Sequence, residues 1–555
     1  MKKNFKKRMG ALMSVALVFG SMAFSACGGG SDNLPPEFSI REEEEVDTAR
    51  TQLYVANYNG GIGDQWLYNA KAEFEAQNPG VQIMINNGKD ELDTTHIMQN
   101  YKATKDDLYI MDSVAYYTLA NAGAFMDITN LVTSGTDSLE GRMNESLKNF
   151  YKTPQGKYYA VPFYEAFYHM TYDVDLFDEK LFWLNESGTG FVNSLDEPRY
   201  PGLSGESGDW DEGLPRTYSQ FFMLLDRMVE YGVIPLTWSG KHFSPYIPYF
   251  LDSLIADYEG AENFMTRFNY QGNVKVLKDS NFTDAPTGTY AMNASNYEVK
   301  SVNIDTADEA FATAAGAYYA TKFSKDIMSN GYQYVNRLVV NSDSETHTLA
   351  QDTFLRSRYL GKPIGMLIDG GWWYNEAKVT MDAMALEYGN QWSASTRRLG
   401  VMPFPKADDG SSAEGRTYAA TGGSCVAINS QTDQKELAEK FFNFIHTPEA
   451  MTKFTLESKV RRPYTYPWTA ENAQAVPYYI NNLFKATASG TVVYMVPNAS
   501  ISPEILPYQA SLFSLYGSEK SGIPMLAFFN DTTKTAASFF KDMKTFYATN
   551  GKLVK

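Results

Sequence analysis

The chain has 555 residues, a formal net charge of −17 and only two cysteines, Cys27 and Cys425. So large an acidic excess argues against a nucleic-acid partner, whose footprint is clustered Lys and Arg. Two cysteines cannot staple a disulfide scaffold, and a chain this long outgrows one ordinary core, so two or more lobes stabilised by burial are expected.

At the N-terminus, Lys2, Lys3, Lys6, Lys7 and Arg8 precede an apolar run from Met9 to Phe24. That run is too short for a comfortable bilayer span of about 20 residues, and it has the charged-then-apolar order of an export signal. Residues 1–26 are therefore read as a cleaved leader. Phe24, Ser25, Ala26 and Cys27 resemble the lipobox of bacterial lipoproteins, which implies acylation of Cys27 and an extracytoplasmic chain anchored to the cell membrane. An ordinary cleaved signal and an uncleaved anchor are the alternatives. Residues 27–49, with three glycines at 28–30 and four consecutive glutamates at 42–45, have little to bury and read as a flexible tether. No other stretch is apolar enough to cross a bilayer, so the lipid is the expected membrane contact.

The first folded element is a strand at 52–57, followed by a glycine-rich loop at 58–63 and a helix starting at Asp64 with Trp66, Leu67, Ala70 and Phe74 on one stripe. Asn78, Pro79 and Gly80 end it, and 81–85 is the next strand, giving a β-loop-α-β unit. A strand at 107–111, a helix at 114–122 ending at Gly123, a helix at 217–231 ending at Gly232, and strands at 364–368 and 399–402 continue the alternation. Helices at 435–444 and 448–458 follow, the second with Thr447 as N-cap and Pro448 at its first position. The class is α/β, with no internal repeat of about 20 to 50 residues. Residues 185–215, rich in Gly, Pro, Ser and acids, read as a surface insertion; 255–345 is too weakly periodic to place.

Several segments together resemble the family-one extracellular solute-binding proteins, a group that includes maltose-binding protein and many carbohydrate-binding lipoproteins. They are FEAQNPGVQI at 74–83, ANAGAFMDIT at 120–129, GKYYAVPF at 156–163, MTYDVDLF at 170–177, PRTYSQFF at 215–222, GKPIGMLIDGGW at 361–372, GGSCVAIN at 422–429 and ELAEKFFNFI at 436–445, in the family's order. The resemblance implies a two-lobed, periplasmic-binding-protein-like (type II) fold with a hinge and a central ligand cleft that closes on its ligand. By that analogy lobe one spans 50–162 plus 412–460 and lobe two 163–411 plus 461–555. The implied function is capture of a carbohydrate, such as an oligosaccharide, for an ABC transporter permease, by a monomer without a cofactor.

Candidate ligand contacts follow. In the resembling family the loop after the first strand faces the cleft, so Tyr58, Asn59 and Gly60 offer a ring face and amides to sugar hydroxyls; a plain structural turn is the alternative. Asp112 and Ser113 stand at the carboxyl end of a strand, where ligands of open α/β sheets bind, although a helix N-cap suits them too. Tyr164 and Glu165 lie where the family chain first crosses between lobes and serve either ligand or hinge. Trp238 follows a short strand and can wall the cleft or pack in the core. Asp369, Gly370 and Gly371 lead out of a buried strand to Trp372 and Trp373, whose indoles point to different sides in an extended segment, one suited to a pyranose face. Gly422 completes the set.

Enzymatic readings are weaker. His96, His169, His242, His347 and His446 form no metal-spaced cluster, and Gly-x-Ser-x-Gly is absent. Cys425 reads as a buried hydrophobe, and Asp173, Asp175 and Asp178 lack the glycine and glutamate of an EF-hand, so no metal is expected. A surface-anchored glycosidase, which also uses tryptophans and carboxylates, and an adhesin are the competing classes.

Overall fold

The computed structural model of the protein describes residues 44–88, 92–112, 115–203, 205, 208–240, 243–269, 272–277, 283–291, 297–301, 315–329, 333–340, 347–421, 424–496, 531, 533–538 and 541. Its strands are β1 (Thr51–Asn57), β2 (Val81–Asn87), β3 (Leu108–Met111), β4 (Val161–Pro162), β5 (Ala166–Asp173), β6 (Ile234–Thr237), β7 (Asn273–Leu277), β8 (Tyr297–Ser301), β9 (Ile364–Gly370), β10 (Leu399–Met402), β11 (Thr417–Thr421), β12 (Cys425–Ile428) and β13 (Thr491–Tyr494). The helices needed below are α1 (Gln65–Gln77), α2 (Tyr218–Glu230), α3 (Phe243–Glu259), α4 (Ala315–Ser329), α5 (His347–Ser357), α6 (Trp373–Glu376), α7 (Lys435–Ile445) and α8 (Pro448–Ser458).

The strands form two main sheets. The first has the order β2-β1-β3-β12-β4; in the second β13-β11-β5-β9-β6 are neighbours and β10 also pairs with β5. In the first sheet β1 lies parallel to β2 and β3, with Val55 opposite Ile85 and Leu108. The helix between β1 and β2 covers the sheet with Trp66, Leu67 and Phe74, while Ala70 is half-buried. In the second sheet β5 is central and buried along its whole length. Its alternate residues feed different cores: Tyr168, Met170 and Tyr172 pack with the α2–α4 side, and Phe167 faces the opposite core.

Helix α2 starts where its capping box dictates: the Thr217 side chain accepts from Gln220 N, and the Gln220 side chain accepts from the Thr217 backbone N–H. Gly232, at φ +72°, turns the chain away after α2. Helix α8 begins at Pro448 behind the Thr447 cap, and 399–402 is a strand, both as the sequence predicts.

Elsewhere the structure adds to the expectations. The insertion at 185–215 has no helix or regular strand among its described residues, yet Val192, Trp210 and Leu214 are buried, so it is a packed loop rather than a solvated one. The stretch at 255–345 holds α4, the β7–β8 hairpin and the end of α3. In α3, Leu251, Leu254, Ile255, Ala256 and Tyr258 are buried together with Asp252, Ser253, Asp257 and Glu259. From Phe250 to Glu259 the helix is covered all round and shows no amphipathic stripe, which is why periodicity failed to locate it.

Residues 417–421, expected in the first lobe, run in the second sheet, with Ala420 opposite Phe167. Buried Asp257 fixes them: its carboxylate pairs with Arg416 at 2.8 Å and Lys406 at 3.0 Å and accepts from Thr417 N at 2.8 Å. The chain re-enters the first sheet at Cys425. Among the described residues no helix is long and apolar enough to cross a membrane.

Candidate functional site

Among the described residues, three chain segments join the two sheets. The Ser424 hydroxyl donates to Tyr164 O at 2.8 Å and accepts from Tyr164 N at 3.1 Å, while Phe163 N donates to Ser424 O at 3.0 Å. The third segment is added by Glu165 N, which donates to Arg461 O at 3.0 Å. Glu165 itself is buried, lies 3.4 Å from the Arg461 guanidinium and accepts from the Tyr494 hydroxyl. Burial raises its carboxyl pKa, with Arg461 opposing the rise. Glu165 therefore braces the crossing.

On the first-sheet side, β1 and β3 end at Tyr58 and Asp112. Tyr58 N extends the ladder to Ile110 O at 2.8 Å, and its ring folds over Gly60, where a Cβ would fall 2.8 Å from the Tyr58 ring. Asn59 is half-buried in the same loop. Burial, with the charge of the half-buried Asp112 carboxylate, pushes the Tyr164 phenol pKa well up. Ala115, not Asp112, stands at the N-cap of the following helix, Tyr116–Asn121.

On the second-sheet side four aromatic rings meet. Tyr168 stacks on Tyr249 at 5.2 Å, and Trp372 stands edge-on to Tyr168 at 5.3 Å and to Tyr246 at 5.9 Å. The Trp372 indole donates to the Tyr246 hydroxyl at 3.3 Å. This indole lies over Gly370, where a Cβ would collide with the ring, so only glycine admits it. Tyr168 also stands edge-on to Tyr246 at 5.8 Å, which closes the four rings into one cluster. Asp369 is buried, accepting from Gln351 Nε2 at 3.1 Å and from Gly370 N at 2.7 Å.

The sequence predicts an extended segment at 372–373; instead Gly370 and Gly371 end the strand, and the chain turns at Trp372 into α6. The two indoles diverge because of that turn. Trp372 is half-buried among the tyrosines, whereas Trp373 is fully buried and donates to the Tyr479 hydroxyl at 2.9 Å. Trp238 is also buried, in the second-sheet core. Ser113, Gly422, His242 and Cys27 lie outside the described residues. Tyr168, Tyr246 and Tyr249 escape sequence reasoning: the last two, both half-buried, sit at i and i+3 of α3, a spacing that puts both on one helix face, but no polar–apolar stripe in the sequence marks that face.

Several other titratable groups are held by structural partners or by burial. Burial pushes His169 down to about 4, and its Nε2 lies 2.6 Å from the Tyr479 hydroxyl. Asp173 pairs with Arg397 at 2.8 Å, and Asp175 and Asp178 with Arg398 at 2.6 and 2.7 Å, so arginines occupy these carboxylates. Cys425 is buried, and burial raises its thiol pKa. No cluster able to hold a metal occurs among the described residues. A crevice of about 550 Å³ lined by Trp66, Tyr374, Asn375, Lys378 and Glu457 shares no residue with the aromatic constellation.

Comparison with known proteins places this geometry. Solved structures of similar fold include SBP RafE in complex with raffinose, at 15% identity, with 89% of this chain and 100% of that one covered and a TM-score of 0.51. A probable secreted solute-binding lipoprotein from Streptomyces coelicolor gives 14%, 90%, 100% and 0.54, and the GacH receptor of Streptomyces glaucescens, known unliganded and with acarbose, 13%, 91%, 98% and 0.53. No curated protein matches the sequence. The family model for bacterial extracellular solute-binding proteins matches residues 69–465. With two α/β lobes and most of its length matched by that model, this chain belongs to the bacterial extracellular solute-binding protein family.

Proposed function

We propose that this protein captures a saccharide between its lobes and passes it unchanged to an ABC transporter permease. The observation that carries the reading is the cluster of Tyr168, Tyr246, Tyr249 and Trp372 on the second-sheet side, with Asp369 near the end of β9 and Asp112 just past β3. Aromatic faces suit the C–H faces of pyranoses, and carboxylates and phenols suit their hydroxyl edges. The family and the ligands named for RafE and GacH support it. The proposed contacts are Tyr58, Asp112, Tyr164 and Trp372 with the three further tyrosines. The lobes proposed are those of the two sheets, moving about the crossings at 163–165, 421–425 and 459–464.

The export signal and the small residues before Cys27 support an extracytoplasmic protein held by a lipid on Cys27. The protein acts as a monomeric binder with no catalytic step. The test is a thermal-shift screen of the mature protein against raffinose, acarbose, chitin oligosaccharides and monosaccharides, with the sugars recovered and analysed. A ligand that binds only the native state raises the midpoint. A saccharide-specific rise with intact sugar is expected; consumption of the sugar would favour the glycosidase, and silence across the panel would reject saccharide capture.

A further inference from the structure

The loop that carries Tyr58, Asn59 and Gly60 continues to Gly61, and there the first lobe meets α6 of the second. A Cβ on Gly61 would lie 2.6 Å from Oε1, 2.8 Å from Cδ and 2.9 Å from Cγ of Glu376, and these are its three nearest atoms. Gly61 is not in the left-handed region, so this contact, not backbone conformation, calls for glycine. Glu376 is not free to swing aside, because its Oε2 accepts from Gln351 Nε2 at 2.9 Å and the same nitrogen donates to Asp369 at 3.1 Å. One residue earlier, the Asn375 amide donates to Ser458 O at the end of α8, a helix packed on α1 in the first lobe. Trp372 immediately precedes α6.

We infer that α6 is an interlobe latch, in which Glu376 seated on Gly61 and Asn375 bonded to Ser458 set the angle between the lobes and thereby position Trp372 and Asp369 against Tyr58 and Asp112. Its ligand arm rests on the saccharide reading; its conformational arm does not. Inserting a methyl at Gly61 drives the Glu376 carboxylate off Gln351 or drives the lobes apart, and a bistable interface converts such a local change into a population shift.

The test uses the full chain with Cys27→Ser and nitroxides on Lys102→Cys and Leu386→Cys, both exposed positions on opposite lobes, while buried Cys425 stays unlabelled. Interlobe distances are measured by pulsed electron paramagnetic resonance without ligand, and saccharide affinity by calorimetry. Gly61→Ala is expected to lengthen or broaden the distances and weaken binding about tenfold, roughly 1.4 kcal/mol. In a Glu376→Ala background the same change is expected to lose most of its effect, because the added methyl then has nothing to strike. Glu376→Ala alone is expected to broaden the distances, which keeps the test decisive if Gly61→Ala fails to fold. Distances unchanged in both single variants, or a Gly61→Ala effect undiminished by Glu376→Ala, would overturn the latch. If no variant binds a saccharide while the distances shift as described, the latch stands and the saccharide reading falls.

Discussion

Trp372 and Trp373 are adjacent in sequence and opposite in energetics. Trp372 shares a half-buried aromatic site, so Trp372→Ala is expected to lower saccharide affinity at least about tenfold with little loss of stability; calorimetric titration and thermal unfolding of one preparation separate the two. Trp373 is fully buried against Phe354, Tyr374 and Tyr479, so Trp373→Ala is expected to cost about 3 to 5 kcal/mol of stability, read from urea denaturation. His169 gives a pH signature. Its folded pKa of about 4 lies below the unfolded value, so the unfolded state binds the proton first and stability falls as pH drops from about 6.5 towards 4. The urea midpoint is expected to fall across that window, and His169→Gln to flatten the fall; an unchanged slope would show that His169 is protonated while folded.

At the scale of elements, local signals and tertiary burial divide the work. Helix α2 carries its own start signal, and Thr217→Ala is expected to cost about 1 kcal/mol by removing one of its two reciprocal cap bonds. The measurement is again the denaturation midpoint, and a loss below a few tenths of a kcal/mol would mean that α2 is set by packing alone. Strands 51–57, 81–87 and 399–402 and helices α1, α7 and α8 were legible because their turns, caps and stripes are local. Helix α3 was not, because burial on every side from Phe250 to Glu259 erases the contrast that periodicity needs. Tyr168, Tyr246 and Tyr249 carried no local signal either, so three of the four rings of the aromatic cluster were out of reach of the sequence. Trp372 was legible through the glycines before it, although the turn that separates it from Trp373 was not.

For the whole molecule, the proposed capture requires the two lobes to move about the crossings that join them. Glu165, Arg461 and Tyr494 tie two of these crossings together, and Ser424 ties the remaining one to Tyr164. A ligand shifts the open and closed populations only by its differential affinity for them, so contacts from both lobes are required. Small-angle scattering is expected to show a smaller radius of gyration with saturating saccharide than without; an unchanged radius would remove closure from the account. The sequence by itself determined the α/β class, the export signal, the family and the glycine-led tryptophan, because each is written in contiguous residues. Only the tertiary structure decided that 417–421 belongs to the second sheet, that Glu165 is buried against Arg461 and Tyr494, that Trp238 and Trp373 are core, and that Gly61 meets Glu376. Each of those depends on what a residue packs against across a long stretch of chain, and burial, pairing and charge compensation between distant segments leave no periodic trace in the sequence.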